Sequence, residues 1–256
     1  MNKKIAVLIA CHKQFNVLNT NYFCPVQVGS ALSNKKIDGY LQDDVGDNIS
    51  AKNKRYCELT AIYWAWKNIQ ANYYGLFHYR RYLSLRPTLH LPVTKYLSKK
   101  AIKTFGWTDN QLENLTEKYD IIVPKKVLTF GNYNQYKKGK NHYIRDLDFC
   151  IDVIKTNYPQ IYPYAKKYLK SWTGYFCNMF IFKKEIFDNY CTWLFDILQK
   201  HEQKFDCADY NPYGYRVSGF LAERLLGVYI TYLKGLKKYK IKHTDMVKIK
   251  YPNIAK

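Results

Sequence analysis

The apolar residues of this chain gather into short continuous runs separated by longer amphipathic stretches. Residues 5–10 read IAVLIA, a run without a polar position, as expected of a strand buried on both faces of a parallel sheet. A second apolar segment, 22–28, is interrupted by Pro25. Residues 73–79, 119–124 and 176–182 predict further short buried strands. Between them the spacing predicts helices over 108–118, 144–156, 161–171, 184–203 and 219–232, and one running from a cap at Ser50 or Asn53 to about residue 71. Strand and helix alternate from a first strand near the N-terminus. That order predicts an α/β fold, a mostly parallel sheet with helices on both faces. No repeat or low-complexity linker divides the chain. The expected organisation is one domain over 1–233 followed by a basic tail, 234–256.

Composition narrows the partners. A net charge of +21 calls for an anion: nucleic acid, a phosphorylated substrate or an anionic membrane. Lysine is spread diffusely, with no zinc-finger, RNA-recognition or helix-turn-helix signature, which speaks against nucleic acid as the main partner. Tyrosine outnumbers phenylalanine 26 to 13, which suits surfaces that stack on sugars or lie at a membrane interface. Neither GxGxxG nor GxxxxGK[ST] occurs, so a Rossmann dehydrogenase and a P-loop kinase are disfavoured. The seven cysteines form no CxxC pair, the usage of a reducing compartment without structural zinc. The run 5–10 is too short for a signal-peptide core, and nothing approaches the ~20 apolar residues of a membrane span. A soluble or peripheral protein is expected.

The chemistry concentrates in 55–82, RYCELTAIYWAWKNIQANYYGLFHYRRY, an aromatic helix leading into a strand that ends in His78-Tyr79-Arg80-Arg81. Ligands of open α/β sheets bind outside the carboxyl ends of strands. Two guanidinium forks and an imidazole there are donors for a diphosphate. The alternative is a structural pair bonded to Asp43, Asp44 and Asp47. Upstream, Asp44 and Asn48 can bond a nucleoside, and Gly46 permits close backbone approach, or the same residues form an Asx-rich turn. Glu58 can orient the arginine fork. Trp64 and Trp66 fall on different helical faces and are expected in the core. Two places can supply a base: His142 with Asp146 in a polar cluster beside Tyr133 and Tyr136, and Glu223 near the start of the last helix. Trp172, in the turn before the strand that carries Asn178, offers an aromatic face for a sugar.

The unit 53–82 resembles the segment of GT-A glycosyltransferases that ends in Asp-x-Asp, with His78-Tyr79-Arg80-Arg81 in its place. The resemblance then becomes specific. Asp44-x-Gly46-Asp47-Asn48-Ile49-Ser50, Lys52-Asn53, Tyr56-Cys57-Glu58-Leu59-Thr60, Tyr63-Trp64-Ala65-Trp66-Lys67-Asn68 and Gly75-Leu76-x-His78-Tyr79-Arg80-Arg81-Tyr82 are similar to a bacterial family of capsule and exopolysaccharide glycosyltransferases catalogued as domain of unknown function 4422. The likeness extends to Pro25-Val26-Gln27-Val28-Gly29 and to the segment from Arg216 to Leu225, and covers most of 5–232.

The resemblance implies a GT-A-like fold and transfer of a sugar, galactose in pyranose or furanose form, from a UDP-sugar to a surface glycan whose acceptor is lipid-linked. It places Ala10, His12, Gln27, Asn53 and Arg216 with the substrate-binding residues, and makes Glu223 the carboxylate beside the acceptor hydroxyl. With no Asp-x-Asp at the strand end that carries Arg80 and Arg81, no metal site is expected there and no cofactor is required, with Mn²⁺ or Mg²⁺ as the alternative. The expected location is the cytoplasmic face of the cell membrane, held by the lysines of 234–250. The competing classes are a nucleic-acid-binding protein and another nucleotide-dependent transferase of surface polymers.

Overall fold

The computed structural model describes residues 2–88 and 92–253. Its order is β1 (Asn2–Cys11), β2 (Phe23–Gln27), β3 (Leu41–Gln42), α1 (Asn53–Tyr56), α2 (Leu59–Asn68), β4 (Gln70–His78) and β5 (Arg81–Leu83). Then come β6 (Val93–Thr94), α3 (Lys99–Phe105), α4 (Asp109–Thr116), β7 (Ile121–Pro124), β8 (Val127–Leu128), α5 (Asn132–Lys137), α6 (Ile144–Asn157), α7 (Tyr162–Lys170) and β9 (Thr173–Gly174). The chain ends with β10 (Phe180–Lys183), α8 (Lys184–Lys204), α9 (Val217–Gly235), β11 (Ile241–Thr244) and β12 (Met246–Ile249).

The main sheet runs β11-β7-β10-β4-β1-β2-β3. Along this path, among the described residues, β10 alone opposes its neighbours, and β5 and β12 add antiparallel pairs at the side, so the sheet is mostly parallel, as the sequence predicts. The continuous apolar run of β1 is explained by burial on both faces. Ala6, Leu8 and Ala10 face a core shared with α2 and α6 to α9. Ile5, Val7 and Ile9 face a second core, built with β5, β12, α3 and α4. Helices therefore cover both sides.

Two expectations are corrected. The helix predicted from 50 or 53 to 71 is interrupted at Cys57, whose φ of 52° breaks it into α1 and α2. Residues 234–253, expected as an appended tail, carry β11 and β12, which pair with β7, β5 and β6. Val247 and Ile249 are fully buried. Residues 254–256 of the expected tail lie outside the described residues.

β1, β2, β3 and β4 are parallel, so their carboxyl ends lie at one end of the sheet. Because β10 runs the other way, its amino end arrives there too, and it brings Cys177 and Asn178 to the end of β4.

Candidate active site

A cleft of about 870 Å³ opens at this end of the sheet. Its floor is made by strand ends: Ala10 and His12 after β1, Val28 after β2, and His78 to Arg81 at the β4–β5 hairpin. One wall comes from Asn53, Lys54, Cys57 and Glu58 of α1 and its junction with α2. The other comes from Arg216, Phe220 and Glu223 at the start of α9, with Tyr210, Tyr213 and Tyr215 from the preceding loop. Gly29 helps set this geometry. At φ 67° it turns the chain after β2, and a Cβ there would meet the Asn53 side chain at 2.7 Å. Asn53 in turn donates to the Cys57 carbonyl at 2.7 Å and to Thr60 Oγ1 at 3.1 Å, which braces the α1–α2 break.

The cleft is cationic. Lys54, Arg80, Arg81 and Arg216 line it against two carboxylates, Glu58 and Glu223. Among the described residues neither Arg80 nor Arg81 has a carboxylate within ion-pair distance. The Nε of Arg80 is buried without a hydrogen-bond partner. The acids that could have neutralised the pair are engaged elsewhere. Asp43 is fully buried and accepts from the backbone N–H groups of Gly29 and Ser30, both at 2.9 Å. Asp44 pairs with Lys36, and Asp47 accepts from Tyr63. A half-buried arginine pair without a carboxylate partner leaves guanidinium donors that an anion can meet.

Glu58, expected to orient the arginine fork, instead accepts from Asn178 Nδ2 at 2.8 Å. Asn178 is fully buried and also donates to the Gly219 carbonyl, so it ties Glu58 to α9 from behind the cleft wall. His78 Nε2 lies 2.6 Å from the Cys177 carbonyl. A carbonyl only accepts, so Nε2 carries the hydrogen. Cys57, Cys177 and Asn178 all have positive φ, of 52°, 69° and 47°, a concentration of backbone strain around one cleft.

Glu223 accepts from the Cys177 N–H at 2.9 Å through one oxygen and from Arg224 at 3.3 Å through the other. About 22% of its side chain stays exposed, so lone pairs remain for a ligand. Burial of the rest raises its carboxyl above the usual range and outweighs Arg224 and the Cys177 N–H, which pull it down. His12 is lowered, by burial first and then by Lys13, Arg216 and Arg80. Arg216 packs over Tyr213 and Phe220, with its ring centroid distances at 5.1 and 5.8 Å, and donates to Cys57 Sγ at 3.2 Å.

Of the residues expected at the site, Ala10, His12, Asn53, Glu58, His78, Arg80, Arg81, Arg216 and Glu223 line this one cleft. The others lie elsewhere. Gln27 is buried and bonds Lys35 O and Ile37 N. Asn48 donates to the carbonyls of Asp44 and Gly46 and accepts from Ser50, an Asx turn. Gly46, at φ 71°, packs its backbone on Asn68 rather than on the cleft. His142 stacks on Tyr136 and meets the Phe220 ring at a tilt, and burial and Arg224 lower its pKa. Asp146 is fully buried and accepts from His201 Nε2 at 2.9 Å and from Tyr210 OH at 2.8 and 2.9 Å. It does not reach the cleft but holds Tyr210 in its wall. Trp172 lies on a separate groove. Trp64 and Trp66 pack in or against the core.

The cleft residues that the sequence reading passed over are mainly Cys57, Tyr79, Cys177, Tyr213, Tyr215 and Phe220. Cys57, Tyr79 and Phe220 stand inside the recognised motif strings. The tyrosine-rich loop before Arg216 was the available signal for Tyr213 and Tyr215, and Cys177 carried none. For a metal, among the described residues no three His, Cys, Asp or Glu side chains come together. Among the described residues Glu58 and Glu223 are the carboxylates that line the cleft, and each already holds hydrogen bonds from the protein.

Fold and cleft together define an α/β protein with a cationic cleft at the carboxyl ends of its parallel strands. Residues 6–234 match the family model of the domain of unknown function DUF4422, and the chain belongs to that family. It is also similar to the apo structure of the bifunctional glycosyltransferase WbbM, at 34% identity and a TM-score of 0.90 over 96% of this chain. The chain spans 45% of that protein. No curated protein matches the chain.

Proposed function

We propose that this chain is a glycosyltransferase that moves a sugar from a UDP-sugar, galactose in pyranose or furanose form, to a glycan acceptor. The observation that carries the reading is the pair Arg80 and Arg81, without a carboxylate partner among the described residues, at the carboxyl end of β4 in the same cleft as Glu223. The likeness to a glycosyltransferase across nearly the whole chain supports it.

In this reading the donor's diphosphate lies on Arg80 and Arg81. Glu223 takes the proton of the acceptor hydroxyl as its oxygen attacks the anomeric carbon. The bond from that carbon to the diphosphate oxygen breaks, and the negative charge left on the diphosphate is met by the two guanidinium groups. A carboxyl raised by burial is a stronger base than an exposed one, which suits the task. Asn178 holds the neighbouring Glu58 in place, and Tyr213 and Phe220, beside Arg216, offer ring faces to a sugar or base. The arginines take the charge-neutralising role of a divalent ion, so no cofactor is required. The acceptor is lipid-linked, and the chain works at the cytoplasmic face of the membrane. Among the described residues no helix is long and apolar enough to cross it.

The test is donor consumption across a panel of UDP-sugars with an oligosaccharide acceptor, with and without Mn²⁺. One UDP-sugar is consumed by the wild type and not by Glu223→Gln. No consumption of any member, or equal consumption by Glu223→Gln, would overturn the assignment.

A further inference from the structure

Most of the apolar side chains of this protein are buried, and one exposed cluster departs from that. Leu128, Phe130 and Trp172 are 59, 65 and 64% exposed. They are neighbours: Leu128 pairs with Thr173 across the small β8–β9 sheet, and the rings of Phe130 and Trp172 stand 5.7 Å apart. Phe130 is held outward by a backbone at φ 57°, a conformation that an aromatic residue rarely adopts. The cluster borders a groove of about 440 Å³ between α5 and α7. An exposed aromatic and aliphatic patch of this kind marks an interaction surface.

The rim decides what it meets. Lys166 and Lys170 line the groove. Lys126 is exposed two residues before Leu128 and lies close enough to Lys234 and Lys167 to feel their charge. On α6, Asp148 accepts from the hydroxyl of the groove-lining Tyr133 at 2.8 Å. Apolar and aromatic tips ringed by lysine amines complement a layer with phosphate headgroups above hydrocarbon. A glycan would use the Trp172 face but has no need of Leu128 or the lysines.

We infer that this groove and its rim are the surface by which the protein docks on anionic lipid. Leu128, Phe130 and Trp172 enter the headgroup boundary, and Lys126, Lys166 and Lys170 hold the phosphates. The inference rests on the lipid-linked acceptor proposed above and locates where the chain meets the bilayer. The place fits that reading. α5 borders the groove through Tyr133 and Asn134, and its Gln135 accepts from Arg224, the residue next to Glu223. A lipid held here lies one helix away from the cleft.

Co-sedimentation with phosphatidylcholine vesicles, with and without phosphatidylglycerol, reads the docking without any sugar donor, so it succeeds or fails independently of the transfer reaction. The variants are Leu128→Ser with Phe130→Ser, and Lys166→Glu with Lys170→Glu, all at exposed positions where circular dichroism confirms the fold. Each pair is expected to weaken binding to phosphatidylglycerol vesicles by about tenfold or more. The lysine pair should also flatten the salt dependence. Brominated lipid should quench wild-type fluorescence and leave Trp172→Phe largely unquenched. Wild-type binding by the Leu128/Phe130 variant, or equal binding to neutral vesicles, overturns the inference. So does a groove that instead takes oligosaccharide or a second copy of the chain, seen as Trp172 protection or self-association without lipid.

Discussion

Replacing Arg80 by alanine separates a ligand site from a structural one, because the two predict opposite changes in stability. Arg80 and Arg81 are half-buried beside each other with no carboxylate partner among the described residues, and Arg80 Nε is buried and unsatisfied. In the unliganded protein that arrangement is a cost: two like charges and an unpaired donor removed from water. Deleting one guanidinium should leave Tm unchanged or raise it. In the transition state the same group meets the charge that develops on the leaving diphosphate. Losing one such donor costs about 2.7–4 kcal/mol, or roughly 10²–10³ in turnover. The assay is kcat/KM for the UDP-sugar with Arg80→Ala, Arg81→Ala and the two lysine variants. Lysine keeps the charge but loses the fork, so it should recover only part of the rate. The reasoning fails if both alanine variants keep wild-type kcat/KM, or if they unfold several degrees earlier, since the arginines would then be structural.

Other consequences follow from the same geometry. For Glu223 as base, the raised carboxyl places the acid limb of the kcat/KM profile above that of an ordinary glutamate, with activity lost as pH falls through it; Glu223→Gln should remove the limb with the activity, and an unchanged limb in that variant would refute the role. Asp146→Ala leaves His201 and Tyr210 without their buried acceptor and should cost about 3–5 kcal/mol in urea unfolding, whereas a loss below about 1 kcal/mol would mean that the network relaxes. A chain ending at Leu233 lacks the buried Val247 and Ile249, each contributing about 1.5–3 kcal/mol, and should not fold cooperatively; a cooperative melt would show β11 and β12 to be dispensable. Activity should survive EDTA, and complete loss restored by Mn²⁺ would show that carboxylates recruit a metal.

How much of this could be read in the sequence depends on which interactions decide each element. Strands buried on both faces announce themselves, because every position of 5–10 must be apolar. The break at Cys57 gives no such sign: a cysteine at positive φ is imposed by packing around it, not by its own preference. β12 was partly legible in the alternation Val247-Lys248-Ile249-Lys250, but the lysines drew attention to charge rather than to period. At the site, strand ends converge by topology, so His12, His78, Arg80 and Arg81 could be placed together from element order alone. Asp146 and His142 could not be, since which face of a helix looks at a cleft depends on packing. Asp146 lies at the first turn of α6, where a polar cluster looks like a catalytic one, yet its partners are His201 and Tyr210. Trp172 was read as an aromatic face for a sugar, and its place on a separate groove was visible only in three dimensions.

The central claim is that a nucleotide diphosphate lies on Arg80 and Arg81. Saturation-transfer NMR and calorimetry with UDP-galactose, UDP, UMP and uridine test it directly, on the wild type and on the double variant Arg80→Ala/Arg81→Ala. The account predicts that the wild type binds UDP at least about tenfold more tightly than UMP, since charge-assisted contacts to the second phosphate contribute ~1.5–3 kcal/mol. The double variant should bind the two alike. Equal wild-type affinity for UDP and uridine, or a double variant that still prefers UDP, would contradict it.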